Sequence, residues 1–163
     1  MRDVPESSSL RGFYALLVSL SRGISIEVGS LGIMSLRPGI YVYIGSGLGA
    51  GSSSIEGRLG RHFGGAKSRY WHIDYLLSDS HGKAIAGIYS ETYTRMECKL
   101  VKRLLRSSRI RVAQRGFGSS DCSCNSHLVI LEELRKSKAE ELIWQKFKEL
   151  DLRPKRWTAS RSR

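Results

Sequence analysis

Cys122, Cys124 and His127 lie in "SDCSCNSHL" with Cys-x-Cys-x2-His spacing. Three soft donors so arranged are one short of a closed tetrahedral zinc site. His62, His72 or Cys98 could complete the set, and Asp121 with the serines before it could meet a phosphate or a metal. The competing reading is a tight loop, "GSSDCSCNSH", whose small residues serve turns and caps. The sequence favours the loop; zinc is admitted as a cofactor and not expected. A second pairing is Arg58 with His62 in "EGRLGRHF", four residues apart and therefore on one face if the segment is helical. A third signal is charge. Lys and Arg number 27 against 15 Asp and Glu, a formal net charge of +12. Such an excess favours polyanions through counterion release, with DNA expected ahead of RNA. Arg58, Arg61, Lys67 and Arg69, on and after the Arg58 segment, are the expected nucleic-acid contacts.

These residues need elements to position them. "GFYALLVSL" (12–20) is aromatic and apolar enough for a strand. "ISIEVGSLGIMSL" (24–36) alternates Ile24, Ile26 and Val28 with polar partners and suits a second strand followed by a glycine turn. "GIYVYIGSG" (39–47) is a third, its start marked by Pro38, and a glycine- and serine-rich loop follows. A helix is expected from Ile55 to about Phe63, capped by Ser53 or Ser54. "SRYWHIDYLLSD" is mixed between helical and extended patterns, and "KAIAGIYSE" (83–91) reads as a strand. "TRMECKLVKRLLRSS" is amphipathic, with Met96, Leu100, Val101, Leu104 and Leu105 on one stripe. A loop, a short apolar strand and a closing helix over "EELRKSKAEELIWQKFKEL" complete the chain.

The stretch "RPGIYVYIGSGLG" holds "GIY" and "YIG" on one short run, so those two tripeptides cannot be separate strands. Gly12-Phe13-Tyr14 has the shape of a first tripeptide, with Phe for Ile, and Tyr43-Ile44-Gly45 is then the second. Gly39-Ile40-Tyr41 is the decoy. Downstream come Arg58 and His62, then Glu97 near the first turn of the amphipathic helix. In this order the residues resemble the GIY-YIG endonuclease superfamily over about residues 10–105. "RYWHIDYLL" and "GFGSSDCSCNSHL" resemble a narrower, largely archaeal group of it, with members fused to an endonuclease III domain.

The resemblance implies an α/β (α+β) fold with a small, mainly antiparallel sheet flanked by helices. It implies hydrolysis of phosphodiester bonds in nucleic acid with one Mg²⁺ or Mn²⁺ ion, in a setting such as DNA repair. Glu97 would hold the metal, a hard ion that prefers oxygen ligands. Arg58 would clamp the phosphate through its fork of donors. Tyr14 or Tyr43 would act as base or position the water, and His62 would relay a proton, its ordinary pKa near 6.5 suiting neutral pH. The rival reading is a nucleic-acid-binding module that keeps the scaffold without turnover, and a third is a domain stabilised by zinc.

The expected organisation is a flexible N-terminus (1–9), one domain (10–152) and a basic, disordered tail (153–163), "RPKRWTASRSR". No apolar run approaches the roughly 20 residues of a membrane span. "MRDVPESSSLRG" lacks the order of a signal peptide, and three cysteines make no secreted disulfide framework. A cytoplasmic protein is expected.

Overall fold

Strand β1 (Gly12–Leu20) is buried from Gly12 to Val18 without interruption, the mark of a strand covered on both faces. Its residues alternate between two cores: Tyr14, Leu16, Val18 and Leu20 point one way, and Phe13, Ala15 and Leu17 the other. In the computed structural model, which describes residues 9–64, 68–119, 122 and 124–158, β1 lies inside a six-stranded antiparallel sheet. The order is β6 (Ile110–Val112), β7 (Leu128–Leu131), β4 (Gly39–Gly47), β1, β5 (Gly82–Glu91) and β8 (Lys155–Arg156). The first core is closed by α1 (Ile55–Gly64) through Ile55 and Leu59, and by α2 (His72–Leu77) through Ile73, Leu76 and Leu77. The second is closed by α3 (Glu97–Leu104) and α4 (Lys136–Glu149), where Phe147 stacks on Phe13 at 5.1 Å between ring centroids. The expected α/β class with an antiparallel sheet is observed. No helix among the described residues is long and apolar enough to cross a membrane.

Three segments differ from the sequence expectation. In residues 24–36 the expected strand and glycine turn are followed by a further strand, so that β2 (Ile24–Glu27) and β3 (Ile33–Leu36) form a separate two-stranded sheet. The glycine turn reverses the chain, with Val28 N–H donating to the Gly32 carbonyl, and Met34 and Leu36 return to the first core. The mixed "HIDYLL" segment is helical. The tail expected to be disordered from residue 153 is ordered through Thr158. Backbone pairing of β8 with β5 covers that edge of the sheet, Lys155 meets Glu91 at 2.8 Å, and Trp157 stacks on Phe63. Its composition is that of a solvated tail, but its backbone groups find the unpaired edge of β5. Lys67, Asp121, residues 1–8 of the expected flexible N-terminus and residues 159–163 lie outside the described residues.

Candidate functional site

Strand β4 ends at Gly47, and the chain enters α1 within eight residues. Ser54 is the cap: its Oγ accepts the Gly57 N–H at 3.1 Å, satisfying one orphan donor of the first turn. Ile55 N–H donates to the Leu10 carbonyl, and Leu10 N–H donates to the Glu56 carboxylate, so α1 is pinned to the entry of β1. This start places Arg58 back over the end of β4, where its Nη1 donates to the Ser46 carbonyl.

Both tripeptide glycines have steric reasons. A Cβ at Gly12 would lie 1.9 Å from the Ser90 carbonyl oxygen of β5, so only glycine allows this close pairing. A Cβ at Gly45 would lie 2.5 Å from the Tyr14 hydroxyl and 3.0 Å from the Tyr43 ring. Gly45 faces Tyr14 in the β1–β4 register, and its missing side chain is the space the phenol fills.

Tyr43, Arg58 and Glu97 line one cavity of about 250 Å³, with Ser46, Tyr70, Trp71, His72, Gly118 and His127 also in its wall. Tyr41 lines a different groove with Arg37, Arg111 and Glu132, so Tyr43 and not Tyr41 shares a surface with Arg58. Among the described residues Glu97 is the only carboxylate of the cavity wall, and it opens α3, where the helix dipole favours its charge. Arg58 lies 4.3 Å from the Trp71 ring centroid and 5.6 Å from that of Tyr14. Cation–π contacts of this kind contribute roughly 0.5–2 kcal/mol each. Among the described residues Arg58 has no carboxylate partner, and its buried Nε–H has no acceptor. The guanidinium is oriented by carbonyl and rings while its charge stays available to an anion.

Tyr14 is fully buried and sits behind the cavity wall, where its hydroxyl lies 2.6 Å from His62 Nε2. Burial, and then the neighbouring Tyr43, push its pKa well above the ordinary tyrosine value. His62 is 2 % exposed, and burial followed by the adjacent Arg58 lowers its pKa to about 3. At neutral pH it is a neutral imidazole that can accept the Tyr14 O–H in its Nδ1–H tautomer. This corrects the expectation that His62 titrates near 6.5: the helix face placing it beside Arg58 also removes it from water. It corrects, too, the expectation that Tyr14 faces the cleft.

The expected nucleic-acid contacts separate. Arg61 donates to Asp74 Oδ2 at 3.0 Å and also reaches Ser68. That carboxylate, fully buried, accepts the N–H groups of Tyr70 and Trp71. Arg61 is therefore a clasp that sets the aromatic side of the cavity, and Asp74 is spent in the same task. Arg69 lies over Tyr75 in another groove. His72 Nδ1 accepts the Gly118 N–H at 2.8 Å, fastening the loop before β7 to α2. Sequence reasoning passed over Tyr70, Trp71 and His72 as wall residues. Their signal was available: aromatic residues among cations in "KSRYWHID", just after the arginine helix.

Cys98, at the second position of α3, meets Cys122, Cys124 and His127, and their four ligand atoms lie within 4.8 Å of one another. Cys98 and Cys124 are joined as a disulfide, and Cys122 is a free thiol. Of His62, His72 and Cys98, the three residues that could complete the Cys-x-Cys-x2-His set, it is Cys98 that reaches it.

No curated protein and no solved structure is a significant match to the chain. Residues 13–151 match the family model described as "Domain of unknown function DUF123", and the chain belongs to that family.

Proposed function

We propose that the protein is a divalent-metal-dependent nuclease of GIY-YIG type that hydrolyses phosphodiester bonds in nucleic acid, DNA ahead of RNA. The observation that carries this reading is the convergence of Tyr43, Arg58 and Glu97 on one cavity from three separate elements. The donor chemistry fits Mg²⁺ or Mn²⁺: a single carboxylate in the wall of a polar cavity leaves room for the waters a hard ion keeps. Bound there, the ion would neutralise phosphate charge and acidify a water. Arg58, which lines the cavity and has no carboxylate partner among the described residues, would grip a phosphate oxygen as negative charge develops. Tyr43 would position the attacking water, because it lines the cavity whereas the buried Tyr14 resists ionisation. The Tyr14–His62 pair would act through placement, holding Gly45 and the end of β4 under Arg58. A role in DNA repair belongs to the same proposal.

Purified protein incubated with supercoiled, branched and single-stranded DNA should cleave at least one substrate with Mg²⁺ or Mn²⁺ and none with chelator. Glu97→Ala and Arg58→Ala should each lower the rate by about 10²–10³-fold, the scale for removing a charge-stabilising group. Cleavage unchanged in both variants would overturn the assignment. A second reading, a binding module without turnover, is favoured by the aromatic-flanked Arg58 and the +12 charge. DNA binding that Arg58→Ala weakens, without metal-dependent cleavage by the wild type, would select it.

A further inference from the structure

We propose that Cys98, Cys122, Cys124 and His127 form a closed Cys3His site for a structural zinc ion, separate from the cavity metal and independent of the nuclease reading. All three cysteines of the chain and one of its four histidines gather here, although Cys98 and Cys122 are 24 positions apart. Cys122 Sγ lies 3.3 Å from His127 Nε2, and Cys98 Sγ lies 3.7 Å from it. A tetrahedral ion with Zn–S near 2.3 Å and Zn–N near 2.0 Å separates sulfur and nitrogen ligands by about 3.5 Å. Three thiolates and an imidazole select a soft or borderline ion over Mg²⁺. Four protein ligands leave no open position, which assigns the ion a structural role.

The ligands are also preorganised. Cys98 is held in α3, and His127 is fixed by its backbone, whose N–H donates to the Phe117 carbonyl while its carbonyl accepts the Ile44 N–H of β4. Cys122 and Cys124 sit in the 113–127 connection. Its described residues form no helix or strand, and Phe117 is the one fully buried apolar side chain among them. A connection that long needs another anchor. Zinc would tie it to α3 one residue from Glu97 and to β4 next to Tyr43, so that the ion forms the outer support of the cavity wall. A thiol reductant first supplies two electrons and two protons to open the Cys98–Cys124 disulfide, itself becoming the disulfide; binding to the three thiols then breaks three S–H bonds, forms three Zn–S bonds and one Zn–N bond, and releases three protons to solvent. The Cys98–Cys124 disulfide and the ion are mutually exclusive, because both use the same two sulfurs.

The test is elemental analysis of the full chain purified in reductant without chelator, with cobalt replacement as a second measurement. About one zinc per chain is expected. Cobalt should give the intense visible bands and thiolate-to-metal charge transfer of a tetrahedral sulfur-rich site. Cys122→Ser, which spares both disulfide partners, should lower zinc content about tenfold or more. If that variant does not fold, the cobalt spectrum of the wild type decides. Protein without zinc and without the cobalt spectrum overturns the site, as does full zinc retention in Cys122→Ser. Cleavage activity enters none of these readouts, so the site and the nuclease reading can fail separately.

Discussion

Tyr41 and Tyr43 stand two residues apart on β4 with their rings in the same core, yet they serve two different surfaces. The Tyr41 hydroxyl donates to the Arg37 carbonyl at 2.6 Å, and burial pushes its pKa up to about 12. Around it, Arg37 pairs with Glu132, which also takes Arg111 at 3.6 Å, so the two cations share an anion already present. Further along the strand, Tyr43 shares a cavity wall with Arg58, whose guanidinium is held by a carbonyl and by rings. Residue type and strand face are the same in both places. What differs is the distance to the strand end and whether the arginine's charge is already matched. A tyrosine near an arginine is common; a tyrosine near an arginine with charge to spare is a candidate site.

The largest expected effect tests that contrast in activity. Tyr43→Phe should lower metal-dependent cleavage by about 10²-fold, at the low end for a group that handles a proton or its water. Tyr41→Phe should leave the rate within twofold or so and cost about 1 kcal/mol of stability, the net value of one hydrogen bond. Rates measured beside thermal melts separate the two. A Tyr41→Phe enzyme as inactive as Tyr43→Phe would erase the distinction between the two surfaces of β4.

That distinction is partly legible in the amino-acid sequence. β1 and β4 keep their expected bounds because long apolar runs ended by glycine and proline leave little choice of register. Glu97 opens its helix as its position suggests. What sequence does not carry is depth. The i, i+4 spacing brings His62 beside Arg58 but does not reveal that Trp71, Tyr43 and Tyr14 enclose it. Non-local pairing is equally hidden. β8 consists of exposed Lys155 and Arg156, and only the open edge of β5, more than 60 residues earlier, makes them a strand. Cys98 joins the cysteine loop from across the sequence, a closure no local spacing records.

Depth has a measurable signature in pH. Unfolded His62 titrates near 6.5 and folded His62 at about 3. Between these values the unfolded chain binds a proton that the folded chain does not, so stability falls as the pH drops. The slope approaches about 1.4 kcal/mol per pH unit and levels off near the folded value. Among the described residues, the groove around Tyr41 has no histidine in its lining. Melting curves from pH 7 to pH 4 should therefore fall less steeply in His62→Gln than in the wild type, while Tyr41→Phe keeps the wild-type slope. His72, also lowered by burial, is present in every variant and cancels. Parallel curves for His62→Gln and wild type would mean that His62 reaches water and that the Tyr14–His62 pair is not the buried support proposed for Arg58.

The smallest expected effect concerns binding rather than chemistry. Arg37 is the more conspicuous cation, its side chain 61 % exposed, whereas Arg58 is half-buried in the cavity wall. If exposure governed contact with phosphates, Arg37→Ala would weaken DNA binding more. If spare charge governs it, the order reverses, because the Glu132 carboxylate offsets part of the charge of Arg37 and Arg111, whereas no carboxylate among the described residues offsets Arg58. Each phosphate contact adds about 0.9 to the slope of log affinity against log salt. Arg58→Ala should therefore reduce that slope for non-specific duplex DNA by about 1, and Arg37→Ala should reduce it by less. Titrations at several salt concentrations, in chelator so that no cleavage intrudes, measure both. Equal reductions would show that the cations act as an undivided surface. A reduction confined to Arg37→Ala would move the phosphate contact to the Tyr41 surface of the strand, and with it the case for Tyr43.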